Sequence, residues 1–271
     1  MDWNAMAAPW LRLEAATDAA HAPVLAGLMD RAGLGPGHRV VDIGPGAGIS
    51  LLHVADAVGD DGHVTGVEIA PPFAERARAR VPGHVTVVEA DAQDHGFAPG
   101  SFDAAVSLFG VMFFRDSVAA LRNIRAGLKP GARFSFACWG PPQDNPWFAL
   151  PARVAAEVFG PGPKPDPAAP GPMRFADPGA LHALMQDAGW QPQVETVDLH
   201  LTPLGGPVDV ADMMMTIGAA SSRMEAEDGE GRLTDDHKAA VHAGLRAGFA
   251  QMVQDGGVRV PARINFVTAT A

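Results

Sequence analysis

The chain has 271 residues, 47% of them hydrophobic and 19% charged, a composition that buries a core and argues against global disorder. The net charge is -11 and the only lysines are Lys129, Lys164 and Lys238, so long polyanions such as nucleic acids are poor partners, because binding them depends on clustered Lys and Arg. Cys138 is the single cysteine, which excludes an internal disulfide and a multi-cysteine zinc site and suits a reducing cytoplasm.

The opening "MDWNAMAAPW" carries an acid where a signal peptide carries positive charge, and no apolar run reaches membrane-spanning length. The expectation is a cytoplasmic protein without membrane insertion. Residues 3 to 34 have helical patterning, with Trp3, Trp10, Leu11, Leu13, Val24, Leu25 and Leu28 available for apolar faces. Beyond "GLGPGH" short strand-like runs follow one another: "RVVDIG", "HVTGVEI", "HVTVVEA", "FDAAVSLF" and "RFSFACW". Helical spacing fills the gaps at Ile49 to Val58, Phe73 to Arg80 and Val118 to Leu128. Strand alternating with helix implies parallel pairing through crossovers, and near-continuous apolar strands imply a sheet covered on both faces. The expected fold class is therefore α/β, doubly wound.

Residues 159 to 175 are too rich in proline and glycine for a helix or central strand and read as a surface linker or an active-site lid. A helix is expected at "DPGALHALMQDAGW", with Asp177 as N-cap, Pro178 at its first position and Gly189 as its stop. "VETVDLHL" alternates like a strand, residues 209 to 223 look helical, and Arg223 to Asp236 holds an acidic, glycine-broken connector. A helix from about Thr234 should bury Val241, Leu245, Phe249, Met252 and Val253, and "INFVTATA" closes the chain as a strand. Three divisions follow: a helical cap over 1–37, an α/β core over 38–139, and substrate-side insertions plus the last two strands of the same sheet over 140–271.

The stretch "VVDIGPGAGIS", residues 40 to 50, is a strand feeding a glycine turn, which poses the question of the ligand. A triphosphate loop needs a lysine and a Ser/Thr after its last glycine, whereas Gly48 is followed by Ile49 and Ser50. A dinucleotide fingerprint needs a glycine five residues after Gly44, where Ile49 stands, and Asp42 would set a carboxylate near phosphate. Some dinucleotide folds tolerate such departures, so a nicotinamide-dependent oxidoreductase stays open as an alternative. S-adenosylmethionine carries no phosphate but a sulfonium, an ammonium, a carboxylate and a ribose diol. Asp42 then becomes an asset, the turn at Gly44, Gly46 and Gly48 allows close backbone approach, and the helix start at Ile49 receives the carboxylate. Glu68, at the end of the second strand, is placed to accept both ribose hydroxyls. Asp91, at the end of the third, is placed to accept from the adenine amino group while Ala92 offers its backbone. All three acids face the crevice outside the strands' carboxyl ends.

Together "VVDIGPGAG", "VTGVEIAPPFAERARAR", "VTVVEADAQDHGF" and "FDAAVSLFGVMFFRDSVAALRNIRAGLKPGARFSF" resemble class I S-adenosylmethionine-dependent methyltransferases over roughly residues 38 to 139. The last segment is similar to the ubiquinone/menaquinone-type branch, in its "FG" after the fourth strand and its "LKPGG"-like turn, here Leu128 to Ala132. The resemblance implies a seven-stranded, mostly parallel sheet whose last strand runs antiparallel. It implies that Gly44, Gly46 and Gly48 form the cofactor loop, that Glu68 holds the ribose with Ile69 also in the cofactor-binding set, that Asp91 and Ala92 meet the adenine, and that Ser107 and Leu108 flank the sulfonium. Two features depart from the pattern: Pro45 removes a backbone donor inside the loop, and "GVMFF" replaces the polar stretch that often follows "FG" in the quinone enzymes.

The expected acceptor is a small, largely apolar molecule, lined by Phe109, Met112, Phe113, Trp139 and the run Met213 to Met215, with Met214 singled out. Asp144, Asn145 and Trp147 are weaker pocket candidates, and Trp3 and Trp10 read as helix anchors or as a cover over the cofactor. No residue stands out as a general base. His53, His182, His200, His237 and His242 read as surface or structural, none in a pair with metal-ligand spacing. A non-catalytic cofactor-binding subunit stays open as a further alternative.

Overall fold

A computed structural model describes residues 2–162, 166 and 169–271. The elements in chain order are α1 (Trp3–Arg12), α2 (Glu14–Ala32), β1 (Arg39–Ile43), α3 (Ile49–Val58), β2 (His63–Glu68), α4 (Pro71–Arg80), β3 (Val85–Glu89), β4 (Phe102–Leu108), α5 (Ser117–Gly127) and β5 (Leu128–Trp139). After these come α6 (Pro146–Phe159), α7 (Pro178–Asp187), β6 (Gln191–Leu201), α8 (Pro207–Thr216), α9 (Ala219–Gly229), α10 (Asp235–Ala250), the small hairpin β7 (Val253–Gln254) and β8 (Gly257–Val258), and β9 (Val260–Thr270).

Seven strands form one sheet in the order β3-β2-β1-β4-β5-β9-β6. β1 pairs in parallel with β2 and β4, and β9 runs antiparallel to both β5 and β6. This is the expected doubly wound sheet with its last strand reversed. β1 shows why it needs cover on both sides: Val40 packs with Leu51 and Val54 of α3, while Val41 packs in the cluster that holds Leu121 and Ile124 of α5. The order reverses beside β1, and parallel strands leave their carboxyl ends open there, which is where such sheets bind ligands.

Local chemistry sets the helix ends. Asp2 caps α1 by accepting from the amides of Asn4 and Ala5, and Asp177 caps α7 through Gly179 and Ala180. Three expectations shift. The span 209 to 223 is broken at Ile217 and Gly218, where Gly218 takes φ +89°, and α9 continues through Gly229 into the stretch read as a connector. Met252 is half-buried and Val253 exposed, because the chain leaves α10 at Ala250 and turns into the β7–β8 hairpin. β5 begins at Leu128, with an irregularity in its pairing to β4 between Phe102 and Ala104 that accommodates Pro130 and Gly131. Of the proline-rich span 159 to 175, residues 163–165, 167 and 168 lie outside the described residues. Among the described residues no helix is long and apolar enough to cross a membrane.

Candidate active site

A cavity of about 660 Å³ opens at the carboxyl ends of β1 to β5 and runs beneath α1 and α2. Its two ends differ in chemistry. At one end the β1–α3 turn places Gly44 and Gly46 on the wall, at φ +65° and +56°, a conformation that favours glycine. A Cβ on Gly46 would meet nothing within 4 Å, so this face of the turn is open for close approach. Glu68 is buried at the tip of β2, its Oε2 accepting from the Gly46 amide at 2.9 Å and its Oε1 from the Ala70 amide at 2.9 Å. Each carboxylate oxygen keeps a lone pair for a diol hydroxyl. Burial raises the Glu68 carboxyl above its ordinary range, opposed by the amides of Ala70, Gly46 and Ile69.

Asp91 follows β3, its Oδ1 taken by the Gln93 amide at 2.9 Å and its Oδ2 lying 3.5 Å from the Arg115 guanidinium. Arg115 bridges on to Asp94 at 2.7 Å and itself lines the cavity. Asn123 fixes this corner by donating to the carbonyls of Ala92 and His95. Ile69, Ala92 and Leu108 complete the wall.

Three residues expected to touch the cofactor are set back from the cavity. Asp42 is fully buried on the same strand face as Val40, towards α3, and neither of its oxygens has a hydrogen-bond partner among the described residues. Burial pushes its carboxyl up to about 7; the Ser50 hydroxyl lies near enough to oppose this but outside hydrogen-bonding geometry, and the Glu68 charge adds to the rise. Gly48 faces α4, where a Cβ would sit 3.1 Å from that of Ala77, so this glycine serves helix packing. Ser107 clamps β4 to β1: its buried hydroxyl donates to the Ile43 carbonyl at 2.7 Å and accepts from the Gly110 amide at 3.2 Å. The "FG" pair now has a physical reading. A Cβ on Gly110 would lie 2.5 Å from the Ile43 carbonyl, and Phe109 is held at φ +62°, rare for a bulky residue and found where a site over-determines the backbone.

The other end of the cavity is aromatic. Phe109 stacks on Trp139 with centroids 4.5 Å apart and planes 4° apart, and Phe148 meets Trp139 edge-on at 4.8 Å. Met112, Trp147, Met214 and Ile217 extend this surface. Of the methionine run only Met214 reaches the cavity; Met213 is buried and Met215 half-buried against the core. Trp3 packs edge-on to Phe113 at 4.8 Å and near Trp10 and Phe73, so α1 lies across the cavity. Asp144 and Asn145 do not line it: Asp144 pairs with Arg263, and Asn145 exchanges hydrogen bonds with the Arg263 backbone.

Sequence reasoning missed Arg115 and a face of α2. Glu14, Thr17, Asp18, His21 and Leu25 all line the cavity, and their three- and four-residue spacing was the available signal. His21 is ringed by Phe109, Trp139 and Trp147 at 5.3, 5.8 and 5.8 Å, its Nε2 is buried without a partner, and burial lowers its pKa to about 4. His182, His237 and His242 lie away from the cavity.

The donor set fits a phosphate-free adenosyl cofactor: acids at the tips of β2 and β3, an open glycine face and apolar walls between them. Comparisons agree. Residues 40–131 match the methyltransferase domain family. The chain is 32% identical over 190 residues to the nocamycin O-methyltransferase of Saccharothrix syringae, covering 66% of this chain and 67% of that protein. It is 36% identical over 103 residues to a ubiquinone/menaquinone biosynthesis C-methyltransferase of Rhizobium leguminosarum bv. trifolii, covering 36% of this chain and 40% of that one. The chain spans less than half the length of several of these curated relatives, 47%, 46% and 40% in three cases. The solved YcgJ protein of Bacillus subtilis shares the fold, with a TM-score of 0.59 at 17% identity over 92% of this chain and 98% of that one. The chain belongs to the class I S-adenosylmethionine-dependent methyltransferases.

Proposed function

We propose that the protein moves a methyl group from S-adenosylmethionine to a small, largely apolar acceptor by in-line displacement. The observation that carries this is the continuity of the one cavity, with Glu68 and Asp91 at one end and Phe109, Trp139 and Trp147 at the other. Bound in it, the cofactor supplies an electrophilic methyl on a sulfonium. Glu68 would hold the ribose hydroxyls, Asp91 and Ala92 the adenine edge, and Ile69 its apolar face. The turn at Gly44 and Gly46 would let the backbone meet the amino-acid end. Asp42 would act from beneath the turn, as a buried acid whose charge a nearby cation favours. Phe109 and Trp139 would hold the acceptor against the methyl, and such orientation supplies much of the acceleration in a displacement. α1, through Trp3, would keep water out.

An O-methyl acceptor has the support of the nocamycin relative, whose match is the longest of those described. A small-molecule partner suits a cavity of about 660 Å³ and the charge of -11. A reducing cytoplasm is the proposed setting for a chain whose single cysteine, Cys138, is buried in β5. Calorimetric titration with S-adenosylhomocysteine and with NADH tests the reading. Binding of the first and not the second is expected; NADH binding alone would restore the oxidoreductase. Binding with no turnover across a broad acceptor screen would favour a non-catalytic subunit.

A further inference from the structure

We infer that His21 receives the acceptor's proton, and that the acceptor presents a hydroxyl on a planar, apolar ring system. This rests on the methyl-transfer reading above and goes beyond it. The cavity's aromatic end is almost free of polar side chains. Among Phe109, Trp139, Trp147, Phe148 and His21, His21 alone carries a titratable group, and its ring meets three of the others edge-on. Its Nε2 is buried and without a partner among the described residues. A buried polar atom left unpaired costs stability, so its retention calls for a ligand or a chemical role. Flat rings in offset and edge contacts fit a planar guest, and the adaptable Met112 and Met214 close the remaining surface.

The chemistry balances with this residue in place. The acceptor oxygen forms its bond to the methyl carbon while the carbon–sulfur bond breaks and its electron pair stays on sulfur. The hydroxyl proton passes to the imidazole, which later gives it to water. One positive charge occupies the apolar site before the step, on sulfur, and one after it, on His21, so no net charge is created where charge is poorly solvated. Burial keeps the imidazole neutral above pH of about 4, with a lone pair free to accept. The charged groups that share the cavity are engaged elsewhere: Glu14 with Arg76 and Arg80, Asp18 with Arg80, Asp91 and Arg115 with each other, and Glu68 with backbone amides.

The test uses naphthol and its methyl ether, methoxynaphthalene, titrated into full-length protein saturated with S-adenosylhomocysteine. Wild type should bind naphthol more tightly than the ether. His21→Leu should weaken naphthol by about tenfold or more and leave the ether and S-adenosylhomocysteine affinities within about twofold. His21→Gln, which keeps a hydrogen-bond acceptor and guards against misfolding of the leucine variant, should restore much of the naphthol binding. Both variants should lose about 100-fold or more of the rate of labelled methyl transfer from S-adenosylmethionine to naphthol. Equal weakening of naphthol and ether, unchanged naphthol binding, or no naphthol binding by the loaded wild type would each overturn the role of His21. Failure to bind S-adenosylhomocysteine would instead overturn the methyl-transfer reading beneath it.

Discussion

The two ends of the cavity are made in different ways. The adenosyl end is walled by loops that leave three neighbouring parallel strands, β1, β2 and β3, with Gly44, Gly46, Glu68 and Asp91 each within three residues of a strand tip. Sheet register fixes those tips: Ile43 pairs with Val67 and Glu68 with Glu89, so their positions are set by backbone hydrogen bonds. The aromatic end is delivered by the paired ends of β4 and β5 and by α2, α6 and the α8–α9 junction, helices that belong to no ladder and meet the strand ends through side-chain packing. A site built on a ladder is rigid and varies little with its flanks. A site built on packed helices is free to change its acceptor while the sheet stays the same.

This contrast predicts separable losses. The largest is Glu68→Ala, which strands the Gly46 and Ala70 amides and, on the proposed reading, removes the acceptor of the ribose hydroxyls. S-adenosylhomocysteine affinity should fall by about 100-fold or more by calorimetry. Trp139→Ala, at the other end, should leave that affinity within about threefold and raise the acceptor KM by about tenfold. If both variants weakened the cofactor alike, the two ends would not be independent.

Asp42→Asn comes next and concerns the adenosyl end alone. The folded protein holds this carboxyl at about 7, above its ordinary value near 4. The native state therefore keeps a proton that the unfolded chain releases, and stability falls as pH rises from about 4 to about 7. The asparagine variant lacks that slope. Its unfolding free energy relative to wild type should rise through this window and level off above it, by on the order of a few kcal/mol in denaturant melts. Trp139→Phe, as the control from the aromatic end, should leave the slope unchanged. Gly110→Ala probes the joint between the two ends. A Cβ 2.5 Å from the Ile43 carbonyl must push β4's exit away from the glycine turn. Stability should fall by about 1–3 kcal/mol in denaturant melts, with both cofactor and acceptor binding weakened.

The same contrast explains what the sequence revealed. The sheet was legible, and Gly44, Gly46, Glu68 and Asp91 line one end of the cavity, because strand runs, glycine spacing and tip acids are local patterns. Strand alternation could have gone further. Val41 and Ile43 share one face of β1, so Asp42 belongs with Val40 on the other, towards α3 and away from the cavity. Ser107 and Gly48 are set back from the cavity for a related reason: a residue at a loop often holds the loop's shape, as Ser107 does on Ile43 and Gly48 against Ala77. The aromatic and methionine candidates Phe109, Met112, Trp139 and Met214, chosen by residue type, line the cavity. His21 was not chosen, because only the packing of α2 across the strand ends brings it to Phe109, 88 positions later in the chain. The break at Gly218 was missed because a lone glycine inside a helical pattern is commonly tolerated.

The smallest expected effect tests which end the helical cap serves. Glu14 at the start of α2 accepts from Arg76 Nε at 2.6 Å and lies 3.2 Å from Arg80, while Asp18 pairs with Arg80 at 2.9 Å. Arg80 also donates to the Ala47 carbonyl, tying the cap to the glycine turn. Arg76 is half-exposed, and ion pairs of that kind add little to stability, so Glu14→Gln should lower Tm by no more than about 2 °C. The hydrogen bond from Arg76 holds the Glu14 carboxyl below its ordinary value. Its contribution is therefore present above the unfolded value near 4.5 and lost as pH falls through the lower folded value, so the variant and wild type should converge in acid. The informative reading is kinetic. Trp3 and Trp10 on α1 touch both Phe73, beside the adenosyl end, and Phe113, beside the aromatic one, through the Trp3 ring. If α1 and α2 move as one cover, loosening this tether should speed release of S-adenosylhomocysteine and of the acceptor by similar factors in stopped-flow measurements. Faster release of the cofactor alone would assign the tether to the glycine turn, through Arg80 and Ala47, and leave the aromatic end to be held by its own packing.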